Sequence, residues 1–255
     1  MKRHMVPILF LVGVMIFGWL PTAQAADVSI GLGAGLAPEY EGSEDYEAVP
    51  LPYVNVVWSN QMSLSLLGNK AKVNLVPSAT WKAGLVGEFI GERDDVDNSA
   101  VDRLEDVDSS IMLGAFIGFE ANNWSGSIEA MQDVADGNDG AIVRLNGGYR
   151  IPINQSFRLG FGAFTTWADD DYMESYFEID AADSARSGLS THDADSGMKD
   201  VGLTVNATYQ PWQSWGFMGV LSFKRLLDDA EDSPVVEDEG DENQFFGGVL
   251  VFYKF

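Results

Sequence analysis

The chain has 255 residues, 39 acidic against 15 basic side chains, a formal net charge of −24 and no cysteine. That acid excess excludes a nucleic-acid partner, because holding phosphates needs a basic surface. The lack of cysteine excludes disulfides, thiolate metal sites, a cysteine nucleophile and a lipidated cysteine anchor.

The chain begins with a basic segment, Lys2, Arg3 and His4, followed by an apolar run from Ile8 to Leu20 between Pro7 and Pro21. The run is too short to span a bilayer, and Ala23-Gln24-Ala25 supplies a small-residue cleavage site. Residues 1–25 are thus expected to be a cleaved secretory signal peptide, with a single domain over 26–255. No later stretch is apolar for long enough to be a transmembrane helix.

From residue 27 onward the signal is period two, as in strands with one face in lipid. Val28, Ile30, Leu32, Ala34 and Leu36 alternate with Ser29, Gly31, Gly33 and Gly35. Ile111 to Phe119, Val143 to Ile151, Phe157 to Ala163 and Val201 to Tyr209 repeat the pattern. Strands are predicted near 27–37, 48–58, 61–68, 71–77, 80–92, 109–121, 124–135, 141–152, 156–168, 199–210, 215–227 and 244–255. The third and fourth are short, and Pro77 suits only an end or an edge, so ten strands remain an alternative to twelve. The fold class is all-β, an antiparallel transmembrane β-barrel of the outer-membrane type.

Connection lengths set the orientation. Ser59-Asn60, Asn122-Asn123, Asn154-Gln155 and Trp212-Gln213-Ser214 are tight turns, whereas 38–47, 93–108, 133–140, 168–198 and 228–243 are long and hold 33 of the 39 acidic residues. Long acidic loops are expected outside the cell, and the short turns and both chain ends in the periplasm. The last strand presents Phe245, Val249, Val251, Tyr253 and Phe255 on one face, and Tyr253 with Phe255 reads as a barrel-closing C-terminal signal. Trp58, Trp81, Trp124, Tyr149, Trp167, Tyr209, Trp212, Trp215 and Tyr253 fall near strand ends, as interface girdles do.

Eight ionisable residues share the Gly and Ser faces of their strands: Lys82, Glu88, Glu120, Glu129, Arg144, Arg150, Arg158 and Lys224. In lipid each Lys or Arg would cost roughly 2–4 kcal/mol at the midplane, so all are expected to face the lumen. There they either pair and fill a narrow barrel or form a selective constriction. The mature chain has one histidine, His192, beside Ser190, Thr191, Asp193 and Asp195 in a long loop that lacks the support a catalytic triad needs. No catalytic, cofactor or metal residue is assigned. Carboxylate clusters such as Asp169-Asp170-Asp171 and Asp193-Ala194-Asp195 match no complete calcium loop, and leave a diffuse role with divalent cations at the lipopolysaccharide surface open.

Several segments resemble the MipA/OmpV family of Gram-negative outer-membrane proteins. They are Pro38 to Tyr46 with Pro50-Leu51-Pro52, then Ser187-Gly188-Leu189 and Ser196 to Gly202, and most specifically Arg225 to Val236 with Asn243-Gln244-Phe245. Within that last motif stand Arg225, Asp229, Ala230, Ser233 and Pro234. Gly240-Asp241-Glu242-Asn243 departs from the family in being acidic. The resemblance covers the whole mature chain and implies a non-enzymatic outer-membrane barrel. For one branch it implies a scaffold joining a lytic murein transglycosylase to a bifunctional penicillin-binding protein. For another it implies a surface antigen linked to adhesion, and a small-solute pore is the remaining alternative.

Overall fold

Alternation of apolar and small residues becomes a closed wall in the computed structural model, which describes residues 26–255; the expected signal peptide lies outside the described residues. The strands are β1 (Ala26–Pro38), β2 (Tyr46–Trp58), β3 (Ser63–Leu67), β4 (Lys70–Asn74), β5 (Trp81–Ile90) and β6 (Ser110–Ala121). They continue with β7 (Trp124–Asp133), β8 (Ala141–Pro152), β9 (Phe157–Ala168), β10 (Gly197–Tyr209), β11 (Trp215–Leu226) and β12 (Asn243–Lys254). Each strand pairs with its sequence neighbours, and β12 returns antiparallel to β1 to close the barrel. The count is therefore twelve rather than ten: β3 and β4 have only five residues each, yet both are paired along their length.

Register explains which side chains meet lipid. Leu32 pairs with Val251, Ala34 with Val249 and Leu36 with Gly247, so these residues share the outer face. Leu32, Leu36, Leu85, Leu145, Leu203, Leu221 and Val249 are all exposed, which in water would be an aggregation surface and in a bilayer is the solvated one. Gly33 sits where β1 and β12 meet, and a Cβ there would lie 2.0 Å from the Val249 carbonyl oxygen, so closing the wall demands glycine. At the periplasmic ends, Trp124 packs on Tyr149 at 4.5 Å between centroids and Trp215 on Tyr253 at 5.1 Å. Tyr253 in turn meets Phe255 edge to face at 4.9 Å between centroids.

The best-buried part of the molecule lies at the outer mouth. Residues 168–198, expected as a long solvated loop, instead fold into α1 (Asp170–Phe177) and α2 (Ala181–Ser187). Residues 228–243 carry α3 (Asp229–Asp232) and α4 (Pro234–Glu237). Asp169 caps α1 by accepting from Tyr172 N at 3.1 Å, and Asp180 caps α2 by accepting from Ala182 N and Asp183 N at 2.7 Å each. Gly188, at φ +88°, ends α2 in the left-handed region. One face of α1, formed by Tyr172, Met173, Tyr176 and Phe177, packs onto Val86, Met112, Met131 and Ile142 inside the barrel rim and onto Ala230 and Val236. Burying a residue such as Phe177 or Met173 contributes about 1.5–3 kcal/mol, enough for four residues on one short helix to hold it down. A second cluster of Tyr40, Val96, Val101, Leu104, Ile179, Leu189 and Val235 joins the other loops above the first.

Candidate functional site

Two polar layers occupy the barrel beneath and within this cap. The lower one is built on the two shortest strands. Alternation turns Lys70 and Lys72 of β4 inward, toward Glu129 of β7, three strands along the wall. Glu129 is fully buried and receives Lys70 Nζ at 2.6 Å, Lys72 Nζ, and Asn146 Nδ2 at 3.0 Å. Glu88 of β5 receives Arg144 Nη1 at 2.6 Å and Lys70 Nζ at 3.2 Å, while Arg144 Nε donates to Thr166 Oγ1 at 3.2 Å. Two carboxylates and three cations thus form one network spanning β4, β5, β7 and β8. Buried pairs of this kind add little net stability, but removing one partner strands the other and costs about 3–5 kcal/mol.

The upper layer fastens the cap to the wall. Glu41, in the β1–β2 loop, reaches into the mouth and accepts from Lys199 Nζ at 2.6 Å, from Lys224 Nζ, and from Tyr172 Oη at 2.9 Å. Lys199, almost fully buried, also pairs with Asp200 at 2.8 Å. Burial opposes ionisation of Glu41, but the ammonium groups of Lys199 and Lys224 outweigh it and hold its carboxyl far below the usual carboxylate range. Burial, reinforced by the Glu41 charge, raises the Tyr172 hydroxyl well above its ordinary value. The β1–β2 loop, β10, β11 and α1 therefore meet at one carboxylate.

The eight charges singled out in the sequence divide accordingly. Glu88, Glu129 and Arg144 belong to the lower network, and Lys224 to the upper one. Lys82 donates to the Ser78 carbonyl at 2.9 Å near the periplasmic end. Glu120, Arg150 and Arg158 are exposed near the periplasmic ends of their strands. None of these last four forms an ion pair among the described residues. In the 225–236 segment, Arg225 pairs with Glu231 and, at 3.4 Å, with Glu242, and Asp229 accepts from Asp195 N at 3.0 Å. Ala230 and Ser233 are fully buried, Pro234 opens α4, and Ser233 Oγ donates to the Phe177 carbonyl at 2.6 Å. His192 lies in a bridge with Ile179, and its Nε2 meets the Asp229 carbonyl at 2.9 Å rather than a hydroxyl. The segment around it is thus folded, because α1 and α3 give it something to pack on.

Acidic side chains of the loops also serve their own backbones. Asp133 accepts from Gly137 N at 2.7 Å, Asn138 N at 2.9 Å and Ala135 N at 3.1 Å, which closes the β7–β8 loop. Among the described residues, no group of three or more His, Cys, Asp or Glu side chains is placed to hold a metal ion. Lys70, Lys72, Glu41, Lys199 and Asp200 were not singled out from the sequence as site residues. For the two lysines of β4 the available signal was alternation in a strand five residues long. For Glu41 there was none, since its partners are 131–183 residues away.

At the opposite end the described residues form only short turns between strands. Asn60 Oδ1 accepts from Met62 N at 3.1 Å, Asn122 takes φ +54°, and Asn154 Oδ1 accepts from Ser156 N and Phe157 N at 2.9 Å each. These are the tight, self-bonded turns of a periplasmic rim.

Fold and orientation define a transmembrane barrel of the bacterial outer membrane, its outer mouth closed by its own loops. A family model described as MltA-interacting protein MipA matches residues 30–255, and the chain belongs to that family. Putative outer membrane protein YiaT of Escherichia coli K12 is 27% identical over 248 residues, covering 94% of this chain and 96% of that one. The MltA-interacting protein of the same organism is 25% identical over 236 residues, covering 90% and 92%. A solved porin, NanC, aligns over 91% of this chain and 100% of its own at 13% identity and a TM-score of 0.45, a likeness of fold alone.

Proposed function

We propose that this barrel is a non-enzymatic anchor at the outer membrane for periplasmic peptidoglycan-remodelling enzymes, a lytic murein transglycosylase and a bifunctional murein synthase. The observation that carries the reading is the asymmetry of the two ends. The outer mouth is filled by a buried apolar cap locked through Glu41, whereas Glu120, Arg150 and Arg158 stand exposed beside turns that face the compartment of the cell wall. The name of the E. coli relative, an MltA-interacting protein, supports the same direction. Docking on so small a surface relies on the rim charges and the backbone of the turns, which suits a standard or smaller interface of about 800 Å² per partner. Association of the purified, refolded barrel with a purified lytic transglycosylase, followed by analytical ultracentrifugation in detergent, tests it. Binding that weakens when Arg150 and Arg158 are both changed to Glu supports the anchor; no association with the transglycosylase or the synthase, singly or together, overturns it.

A further inference from the structure

The barrel wall is interrupted on its outer half. β3 and β4 end at the Gly68-Asn69 turn, where Gly68 N donates to the Pro52 carbonyl and Phe89 N to the Asn69 carbonyl, both at 2.9 Å. Beyond that turn β2 continues for Tyr46–Pro52 with β1 on one side and, among the described residues, no strand on the other. With no strand beside it, the β2 edge runs unpaired for about 20 Å, and β5, three strand spacings or roughly 14 Å away, continues past the turn only as Phe89 and Ile90. The loop after β5 crosses above, where Asp97 N donates to the Glu39 carboxylate at 3.2 Å, so the gap is a framed window.

This window lies within the hydrocarbon zone. Tyr46 and Phe245, joined by a bond from Phe245 N to Tyr46 Oη at 3.2 Å, mark the outer aromatic level. Below them Ala48 pairs with Leu36, Pro50 with Ala34 and Pro52 with Leu32, all on the lipid face. An open strand edge in hydrocarbon is penalised for each unpaired polar group. Because backbone groups alternate in direction and the Pro52 carbonyl faces the gap, Pro50 and Pro52 both turn their missing N–H toward it. The lower part of the edge consequently has no donor to satisfy. Glu47, inward by alternation, is exposed, so water from within can reach the upper part.

Behind the window the lumen is apolar. Leu51, Leu250 and Phe252 form a buried cluster with half-buried Tyr53, Met218 and Phe246, and Tyr53 and Phe252 are 5.6 Å apart between centroids. On the lipid side an apolar depression of about 620 Å³, lined by Leu36, Gly219, Gly247 and Val249 of β1, β11 and β12, reaches β2 at Ala48. We infer that the gap between β2 and β5 is a lateral site for an acyl chain of an outer-leaflet lipid, which passes Pro50 and Pro52 and lies on Val49, Tyr53 and Phe246 inside the barrel. An edge without an N–H at Pro50 and Pro52, apolar surfaces on both sides of it and its depth in the membrane all select hydrocarbon.

The test uses the barrel reconstituted in bilayers containing a phospholipid with a diazirine on its acyl chain, irradiated, digested and mapped by mass spectrometry. Adducts are expected on the inward residues Val49, Tyr53 and Phe246 as well as on lipid-facing Leu36, and not on Asn146 or Phe164, which face inward on the far wall. In V49N, checked for folding by its heat-modifiable gel mobility, the Tyr53 and Phe246 adducts are lost while those on Leu36 persist. Labelling confined to outward residues overturns the inference, as does equal labelling of Phe164. Labelling of the inner residues by a free diazirine fatty acid but not by the bilayer lipid also overturns it, and would make the lumen a site for amphiphiles taken from water. If V49N does not fold, the wild-type map alone decides.

Discussion

Replacing Glu41 with Gln removes the charge at the point where four segments meet but keeps the side chain's size. Lys199, almost fully buried, then retains only Asp200 at 2.8 Å as a charged partner, and Tyr172 Oη exchanges an ionised acceptor at 2.9 Å for a neutral one. Lys224 is partly exposed and regains water. Breaking a buried pair costs about 3–5 kcal/mol, and the surviving Asp200 contact places this case near about 3 kcal/mol. Because β10 and β11 are already joined by their own ladder, the contact that Glu41 alone supplies is the one from the cap to the wall, so that loss falls on cap opening, which becomes about a hundredfold more frequent at about 1.4 kcal/mol per tenfold. Amide hydrogen exchange reads it directly: α1 peptides covering Asp170–Phe177 exchange about a hundredfold faster in Glu41→Gln, while β6 to β9 are unchanged. Equal acceleration in the strands, or α1 exchange within about threefold of wild type, would refute the assignment of Glu41 as the cap's fastening.

Further outcomes follow from the same geometry. Since Glu41 titrates below its ordinary value of 4.5, its contribution is complete above that value and is lost as pH falls through the depressed one. Protection of α1 should therefore be equal at pH 7 and 5, erode only in stronger acid, and lose this acid dependence in Glu41→Gln. Glu129→Leu leaves Lys70 and Lys72 without their shared carboxylate, and urea unfolding in micelles should show a loss of about 3–5 kcal/mol; a change under about 1 kcal/mol would mean the lumen is already well hydrated. Ser233→Ala removes the α4 cap and orphans the Phe177 carbonyl, for a loss of about 1–3 kcal/mol that protease nicking between 228 and 243 should report.

The wall was legible because lipid imposes one rule on every strand. Apolar residues at alternate positions and short turns against long loops locate all twelve strands to within a few residues, including β3 and β4, whose brevity made them the weakest expectation. The cap was not legible, because its helices are short, polar overall and stable only where the barrel rim supplies their other half. Its local signals were present: Asp169 ahead of Tyr172, Met173, Tyr176 and Phe177, and Asp180 with Gly188 bracketing seven residues. An acid-rich composition masked them, since carboxylates that cap helices or close turns look the same in sequence as solvated ones. For the lumen, alternation predicts Glu88, Glu129 and Arg144 as inward, but which cation meets which acid depends on the curvature of the wall, which brings β4 within reach of β7.

The anchor reading is tested most directly in living cells, by photo-crosslinkers placed singly at Asn60, Asn122 and Gln155 on the periplasmic turns, with captured proteins identified by mass spectrometry. The account predicts recovery of a lytic murein transglycosylase or a murein synthase from at least one turn, and its absence when the crosslinker sits on the outer cap at Glu237. Capture of only abundant envelope proteins from all three turns would contradict it.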